Sequence, residues 1–406
     1  MVNDSPFDAK TAHFIATHRG EDVQKLALSS KKYPDVDMSV AIQQIAGWQQ
    51  ARQKIPSWAA VDGIVYPPHL NMEQCSSEVT ARYKADIARR LGGDEMVDLT
   101  GGLGVDFSFI SPLFRRSVYV EKDEQLCNIA KNNFGALNLK GVSVVCGDCC
   151  DYITAMPHAS LIYLDPARRN AKGGRAYAIT ECQPDVAQLA DALLSKADNV
   201  MVKLSPMLDW HAVVGQLRQV AEIHIVSVRG ECKEIIAVMS NKELTSTRVV
   251  CVDDGKEFSF ESSEKYLQQV AFDVRPGMML LEPNASVMKS GEWGLICHRF
   301  GVEAIAENSH LFLCDKDNHH APDVKQKAFD FPGRMFEIIR LSSMNRHELK
   351  AFLVDVGHAN IAVRNFPMSA VELRRRLKIA DGGDNYIFAT TTEKGNHILI
   401  LCKKSG

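Results

Sequence analysis

Between residues 7 and 54 the apolar positions recur at helical spacing, as in Met38, Ile42, Ile45 and Ala46, with no strand-like alternation. The spacing predicts a small helical domain over residues 1–68. Lys54-Ile-Pro-Ser-Trp58 and Tyr66-Pro-Pro-His69 punctuate its end, because each proline biases its predecessor out of helical geometry. From residue 71 to 241 the pattern changes to short apolar runs separated by amphipathic stretches, the signature of βαβ units and a parallel sheet. Strands are predicted at 96–99, 117–121, 142–145, 161–164, 200–204, 223–228 and 235–239, with helices between the first six. Only residues 229–234 separate the last two, too few for a crossover helix, so those two should pair antiparallel. The fold expected over residues 69–245 is α/β, with a Rossmann-like sheet of seven strands.

Past residue 241 the periodicities shorten. Residues 249–252 and 258–260 read as strands, and 331–341, 348–356, 372–377 and 397–401 as a C-terminal α+β region. The Asp330-Phe-Pro-Gly333 turn predicts a boundary that divides the tail into 246–330 and 331–406. Charge shifts at the same place. The formal net charge is -3, yet residues 331–406 carry 12 Lys+Arg against 7 Asp+Glu, which leaves +5 there and -8 on the remainder. A basic module is attached to an acidic body.

Composition removes several classes. With 46% hydrophobic and 24% charged residues the chain is neither disordered nor fibrous. No apolar run approaches the roughly 20 residues that span a bilayer, so no membrane partner is expected. Asp4, Asp8, Lys10 and Arg19 interrupt the first 20 residues, against a secretory signal, and a cytoplasmic location follows. Eleven cysteines, an odd number scattered from Cys75 to Cys402, read as reduced thiols rather than a disulfide framework.

The chemistry gathers at strand ends. Met96-Val-Asp98-Leu-Thr100-Gly101-Gly102-Leu-Gly104-Val-Asp106 ends a strand in an acid, turns through glycines and opens a helix whose N–H groups can meet a ligand. It lacks the Gly-Lys-Ser/Thr of a phosphate-binding loop, and Phe107 stands where a dinucleotide fingerprint needs its third glycine. Glu121 ends the next strand and could accept both hydroxyls of a ribose, while Asp123 reads as a helix N-cap. In Cys146-Gly-Asp148-Cys149-Cys150-Asp151, Asp148 could accept from an adenine amine, with buried thiols lining that edge. The Cys-x-x-Cys spacing has no second pair, so no metal is expected. Asp165-Pro166-Ala167-Arg168-Arg169 arrives at the carboxyl edge of the sheet, where such folds bind ligands. There a carboxylate can hold a nucleophile in line with a sulfonium methyl; the competing reading is a capped turn with two solvated arginines. Lys203-Leu-Ser205-Pro206 is a second candidate wall, and His13, His18 and Trp48 read as packing or capping residues.

In order and spacing, Asp98 to Gly104, Glu121, Asp148 and Asp165 to Arg169 resemble the motifs of class I S-adenosylmethionine-dependent methyltransferases. Glu73-Gln-Cys-Ser-Ser77-Glu-Val-Thr80-Ala-Arg-Tyr-Lys84 resembles the helix before the first motif in RNA-modifying members. Glu282-Pro-Asn-Ala-Ser-Val-Met-Lys289, and Phe366 to Lys378 ahead of Asp381-Gly-Gly-Asp384, are similar to bacterial members with a ferredoxin-like segment and a THUMP-like, RNA-binding domain. The resemblance implies S-adenosyl-L-methionine as cofactor, with Gly101, Gly102 and Gly104 around its methionine part, Glu121 on the ribose and Asp148 at the adenine. Asp98, Thr100 and Cys149 complete that set, and Asp165, Pro166 and Arg168 face the methyl acceptor. It also implies a ferredoxin-like segment over 246–330 and a THUMP-like domain over 331–406. The implied partner is a structured RNA, tRNA or rRNA, met by Arg374, Arg375, Arg376 and Lys378. One departure matters. Ala167 and Arg168 stand where enzymes of the Asn/Asp-Pro-Pro-aromatic type stack a target base, which puts an exocyclic base amine in doubt as acceptor. Neither residues 165–169 nor 203–206 contain the cysteine a C5-pyrimidine mechanism needs. Two rivals stay open: a methyltransferase for an anionic small molecule or protein, held by Arg168 and Arg169, and a non-catalytic RNA-binding protein with a cofactor fold.

Overall fold

The structure, a computed structural model, describes residues 7–168, 179–315 and 330–404. It divides into two compact units, Met1–Ile223 with Glu234–Thr245, and His224–Lys233 with Ser246–Gly406.

The first unit opens with helices α1 (Ala9–His18), α2 (Val23–Leu28), α3 (Met38–Lys54), α4 (Pro56–Ala59), α5 (His69–Gln74) and α6 (Glu78–Leu91). Asp8, Asp22, Asp37 and Ser77 start α1, α2, α3 and α6, each accepting from N–H groups that a first turn leaves unpaired. Phe14, Leu26, Met38, Ala41 and Ile45 form the core of the opening helices. His18 stacks on Phe14 at 3.9 Å between ring centroids, and Trp48 Nε1 donates to Ala59 O at 3.0 Å, so both are packing residues.

Next come β1 (Glu95–Asp98), α7 (Val105–Ile110), β2 (Arg116–Glu121), α8 (Glu124–Ala136), β3 (Val142–Cys146), α9 (Cys149–Ala155) and β4 (Ala159–Leu164). They are followed by α10 (Val186–Lys196), β5 (Ala197–Leu204), α11 (Trp210–Gln216), β6 (Val220–Val228) and β7 (Glu231–Ser240), and then, among the residues of the second unit, by β8 (Arg248–Asp253) and β9 (Lys256–Glu261). The sheet order is β3-β2-β1-β4-β5-β7-β6-β8-β9. The seven expected strands are present, and β8 and β9 continue the sheet beyond them. From β1 to β5 the pairings are parallel, and β7 runs antiparallel to β5. Arg229 and Gly230, both at positive φ, make the tight turn from β6 to β7. A two-residue ribbon, Ala167–Arg168 with Cys182–Gln183, follows β4.

Two buried amides tie the opening helices to the sheet domain within this unit. Gln44 of α3 bonds both backbone groups of Tyr66, accepting from its N–H and donating to its carbonyl at 2.8 Å each. One residue earlier, Asn133 of α8 does the same for Val65, at 2.8 and 2.9 Å. The extended segment thus has its polar groups met from alternate sides, as a strand would in a sheet.

The second unit contains a seven-stranded sheet of order β11-β12-β10-β13-β16-β15-β14. Its strands are β10 (Met279–Pro283), β11 (Glu303–Ala304), β12 (Phe312–Cys314), β13 (Gly333–Ser342), β14 (Asn360–Val363), β15 (Asn385–Thr391) and β16 (His397–Lys404). Helices α12 (Ala285–Ser290), α13 (Trp293–Phe300), α14 (Arg346–Phe352) and α15 (Ala370–Leu377) accompany it. Strands from both sides of residue 331 share this sheet.

Asn133→Ala leaves a buried N–H and carbonyl without their partner, and should lower unfolding free energy by about 2–4 kcal/mol in urea titrations. A loss below about 0.5 kcal/mol would show that the tie contributes nothing.

Candidate active site

The glycine turn between β1 and α7 is shaped by its own side chains as much as for a ligand. A Cβ added at Gly101 would lie 2.2 Å from the Tyr119 ring, and one at Gly104 would lie 2.7 Å from Phe134. Those two glycines let aromatics of β2 and α8 pack under the turn, and Tyr119 Oη donates to Gly102 O. Gly102 is different: at φ +56, its added Cβ would meet nothing nearer than Thr100 O at 3.8 Å. This is the face of the turn open to a ligand.

Asp98 sits beneath the turn, 1% exposed, and accepts from Thr100 N at 3.0 Å. Burial raises its carboxyl well above the usual range, with Asp106, Asp165 and Glu121 adding repulsion. Thr100 Oγ1 accepts from Asp165 N at 2.6 Å and so joins the β1 turn to the β4 end. Glu121 has a structural duty that its strand-end position did not reveal: its carboxylate accepts from Gly102 N and from Asp123 N, each at 2.9 Å. A carboxylate has about four lone-pair sites, so two remain for a ligand. Asp123 caps α8, accepting from Gln125 N and Leu126 N.

Asp148 caps α9 by accepting from Cys150 N at 2.8 Å. The thiols at this edge are less buried than expected: Cys146 and Cys150 are exposed and Cys149 is half-buried, because β3 is an edge strand. One ligand atom each from Asp148, Cys149 and Cys150 lies within 4.8 Å of the others. Burial pushes the Cys149 thiol up to about 12, helped by Cys150, so it holds its proton near neutral pH.

Asp165 and Pro166 follow β4, and Lys203 lies near the end of β5. Leu164 and Val202 are paired across those strands, which brings the next residue of each to the same level of the sheet edge. Lys203 Nζ donates to Asp165 Oδ2 at 2.6 Å. Arg168 lies in the short ribbon; its side chain and Arg169 fall outside the described residues.

Behind this pair lies a charged cluster that the sequence reading missed. Lys84 of α6 is 0% exposed and donates to both oxygens of Glu234 at 2.8 and 2.9 Å and to Ser76 Oγ at 3.0 Å. Its Nζ also lies 3.1 Å from Asp106 Oδ1. Asp106 Oδ2 accepts from Ser76 Oγ and Tyr163 Oη at 2.7 Å each. Burial works against the Asp106 charge, but Lys84, Lys203 and these bonds outweigh it and hold the carboxyl below its usual range. Burial raises Glu234 despite the two lysines. A signal existed in the sequence. Lys84 falls on the helix face of Thr80, Ala81, Ala85 and Ala88, where an unpaired lysine could not be buried.

In the second unit the basic tail is partly neutralised from within. Arg334 and Arg364 both donate to Glu282, which is 2% exposed. Arg374, expected to face phosphates, instead donates to Ala359 O at 3.0 Å and pairs with Asp381. Its side chain lies against the body of the unit because it shares a helix face with buried Leu373 and Leu377. Arg375, Arg376 and Lys378 are exposed, with Lys378 capping α15 at φ 55.

A family model described as THUMP domain-like matches residues 333–404, and one described as a ferredoxin-like domain matches residues 280–322. The crystal structure of a candidate methyltransferase from Porphyromonas gingivalis W83 is 30% identical and superposes with a TM-score of 0.85. That match covers 98% of this chain and 100% of the other. Two uncharacterized S-adenosylmethionine-dependent methyltransferases, from Mycobacterium tuberculosis strains CDC 1551 / Oshkosh and ATCC 25618 / H37Rv, are 25% identical over 317 residues. Those matches cover 76% of this chain and 79% of theirs.

Fold and relatives together define a class I S-adenosylmethionine-dependent methyltransferase. The chain belongs to the family of such enzymes that carries a ferredoxin-like and a C-terminal THUMP-like domain, and S-adenosyl-L-methionine is its cofactor. The residues present fit that group, with an open backbone face at Gly102, spare acceptor sites on Glu121 beside it, and free space over Gly147.

Lys84→Met leaves Asp106 and Glu234 without their buried cation and should destabilise the protein by about 3–5 kcal/mol. Adding Glu234→Gln should recover part of that loss, read by the same urea titration. Equal stabilities for Lys84→Met and wild type would contradict the cluster's role.

Proposed function

We propose that this methyltransferase acts on a structured RNA, such as tRNA or rRNA, in the cytoplasm. The observation that carries this reading is the THUMP-like match over residues 333–404 on the same chain as the cofactor site. The exposed Arg375, Arg376 and Lys378 supply positive charge for phosphates, with Arg374 holding their helix in place. Among the described residues no helix is long and apolar enough to cross a membrane, and all eleven cysteines are free, as a reducing compartment requires.

The cofactor supplies a methyl group on a sulfonium, already activated for transfer. The protein's part is then to bind, orient and exclude water. Asp98 and Thr100 hold the glycine turn in shape, Glu121 takes the ribose hydroxyls with its remaining lone pairs, and Asp148 with Cys149 borders the adenine. Asp165 and Pro166 line the acceptor side, and Thr100 fixes their distance from the cofactor turn through one hydrogen bond.

Purified protein with tritiated S-adenosylmethionine should label total RNA from a strain lacking the gene, and should not label RNA from its parent. Arg375→Glu should weaken RNA binding at least tenfold at 0.1 M salt and reduce the salt dependence. Label appearing only in protein or small molecules would overturn the RNA assignment.

A further inference from the structure

The charges at the acceptor edge restrict what kind of atom can be methylated there. Five segments bring charge to it or behind it: α6 with Lys84, α7 with Asp106, the position after β4 with Asp165, β5 with Lys203 and β7 with Glu234. Lys203 and Leu204 pair with Ile236 and Ile235 across the antiparallel strands, so Glu234 lies just past the end of β5. Lys84 donates to both oxygens of Glu234 and lies 3.1 Å from Asp106 Oδ1. Asp165 and Lys203 are left facing the edge. Asp165 is 38% exposed at its side chain and Lys203 15%. Among the described residues Asp165 Oδ1 accepts no hydrogen bond, while Oδ2 holds Lys203.

We propose that the acceptor atom is a hydroxyl oxygen, which in an RNA is a ribose 2′-hydroxyl, held between Asp165 and Lys203. This rests on the RNA reading above. A carboxylate only accepts and an ammonium only donates, so together they present one acceptor and one donor. A hydroxyl matches both, giving its proton to Asp165 and receiving a bond from Lys203 on a lone pair. An exocyclic base amine does not. Its two N–H groups both donate and its lone pair is drawn into the ring, so one side would meet Lys203 donor against donor. It would also gain positive charge next to an ammonium as it attacked the methyl. Ala167 adds to this, because no aromatic follows Pro166 to stack a base.

Lys203 is suited to remain the donor. Burial works against its charge, but Asp165, Asp106 and Glu234 outweigh that cost and keep it protonated well above the usual lysine range. It is therefore not the base. In the transfer, the hydroxyl oxygen forms a bond to the methyl carbon as the carbon–sulfur bond breaks, and that electron pair stays on sulfur. The hydroxyl proton passes to Asp165 Oδ1. The products are a methyl ether and S-adenosylhomocysteine, and Lys203 keeps its protons throughout, bonded to the oxygen.

The test uses full-length protein, trideuteromethyl-labelled S-adenosylmethionine and total RNA from a strain lacking the gene, followed by mass spectrometry of the released nucleosides. The expected label stays with the ribose when the glycosidic bond is fragmented, and the labelled site resists alkaline cleavage. Label on a base nitrogen or carbon would overturn the hydroxyl assignment while leaving the RNA reading intact. No label in any RNA would overturn the RNA reading and the ribose assignment with it. Lys203→Met should lower kcat about 10²–10³-fold, as loss of a donor to the reacting oxygen does. Its affinity for S-adenosylhomocysteine should stay within threefold of wild type, and Lys203→Arg should restore part of kcat. A Lys203→Met enzyme with wild-type kcat would remove Lys203 from the chemistry; matched losses of cofactor affinity and folding would mark it as structural.

Discussion

A lysine ammonium with no access to water can be buried only if carboxylates meet it, and Lys84 imposes that condition on the first unit. Its partners come from separate parts of the chain: Glu234 from β7, Asp106 from α7, and Ser76 from the turn before α6. Tyr163 adds β4 by donating to Asp106. Helix α6, the helix after the glycine turn, and two strands of the sheet must therefore meet at one point. That point lies behind the edge where Asp165 and Lys203 emerge. A well-packed apolar cluster would often serve stability at least as well, so these buried charges are not by themselves a stabilising device.

Hydrogen bonds then carry this geometry outward to the glycine turn. Thr100 Oγ1 holds Asp165 N, and Glu121 holds Gly102 N, so the β1 turn is fixed to both neighbouring strands. Tyr119 and Phe134 fill the space that side chains at Gly101 and Gly104 would need. The turn is thereby preorganised from below, with Gly102 facing outward. The glycine turn and the Asp165 end of β4 therefore share the same anchors, so neither can shift without the other.

Much of this could be read from the sequence. The seven strands and their helices followed from apolar runs and spacing, and the strand-end acids Asp98, Glu121 and Asp165 fall at the ends of adjacent strands. What stayed hidden depended on partners distant in sequence. Lys84 lay within a stretch noted for its family likeness, but its burial becomes visible only once Glu234, 150 residues away, is beside it. Glu121 seemed free for a ribose because the turn that donates to it belongs to another strand. Arg374 counted as surface charge until Asp381 and the Ala359 carbonyl came within reach. Strands β8 and β9 read correctly as strands, while their place in the first sheet was a matter of topology that local pattern does not carry. The thiols of Cys146, Cys149 and Cys150 read as buried, since an apolar run does not reveal an edge strand.

In the proposed site, Glu121, the Gly102 face and the Asp165–Lys203 pair define one line from ribose to methyl to acceptor. A crystal structure with S-adenosylmethionine bound tests it most directly. Both ribose hydroxyls should lie on Glu121, with the sulfonium methyl turned toward Asp165 and Lys203. A ribose away from Glu121, or a methyl directed away from that pair, would contradict it.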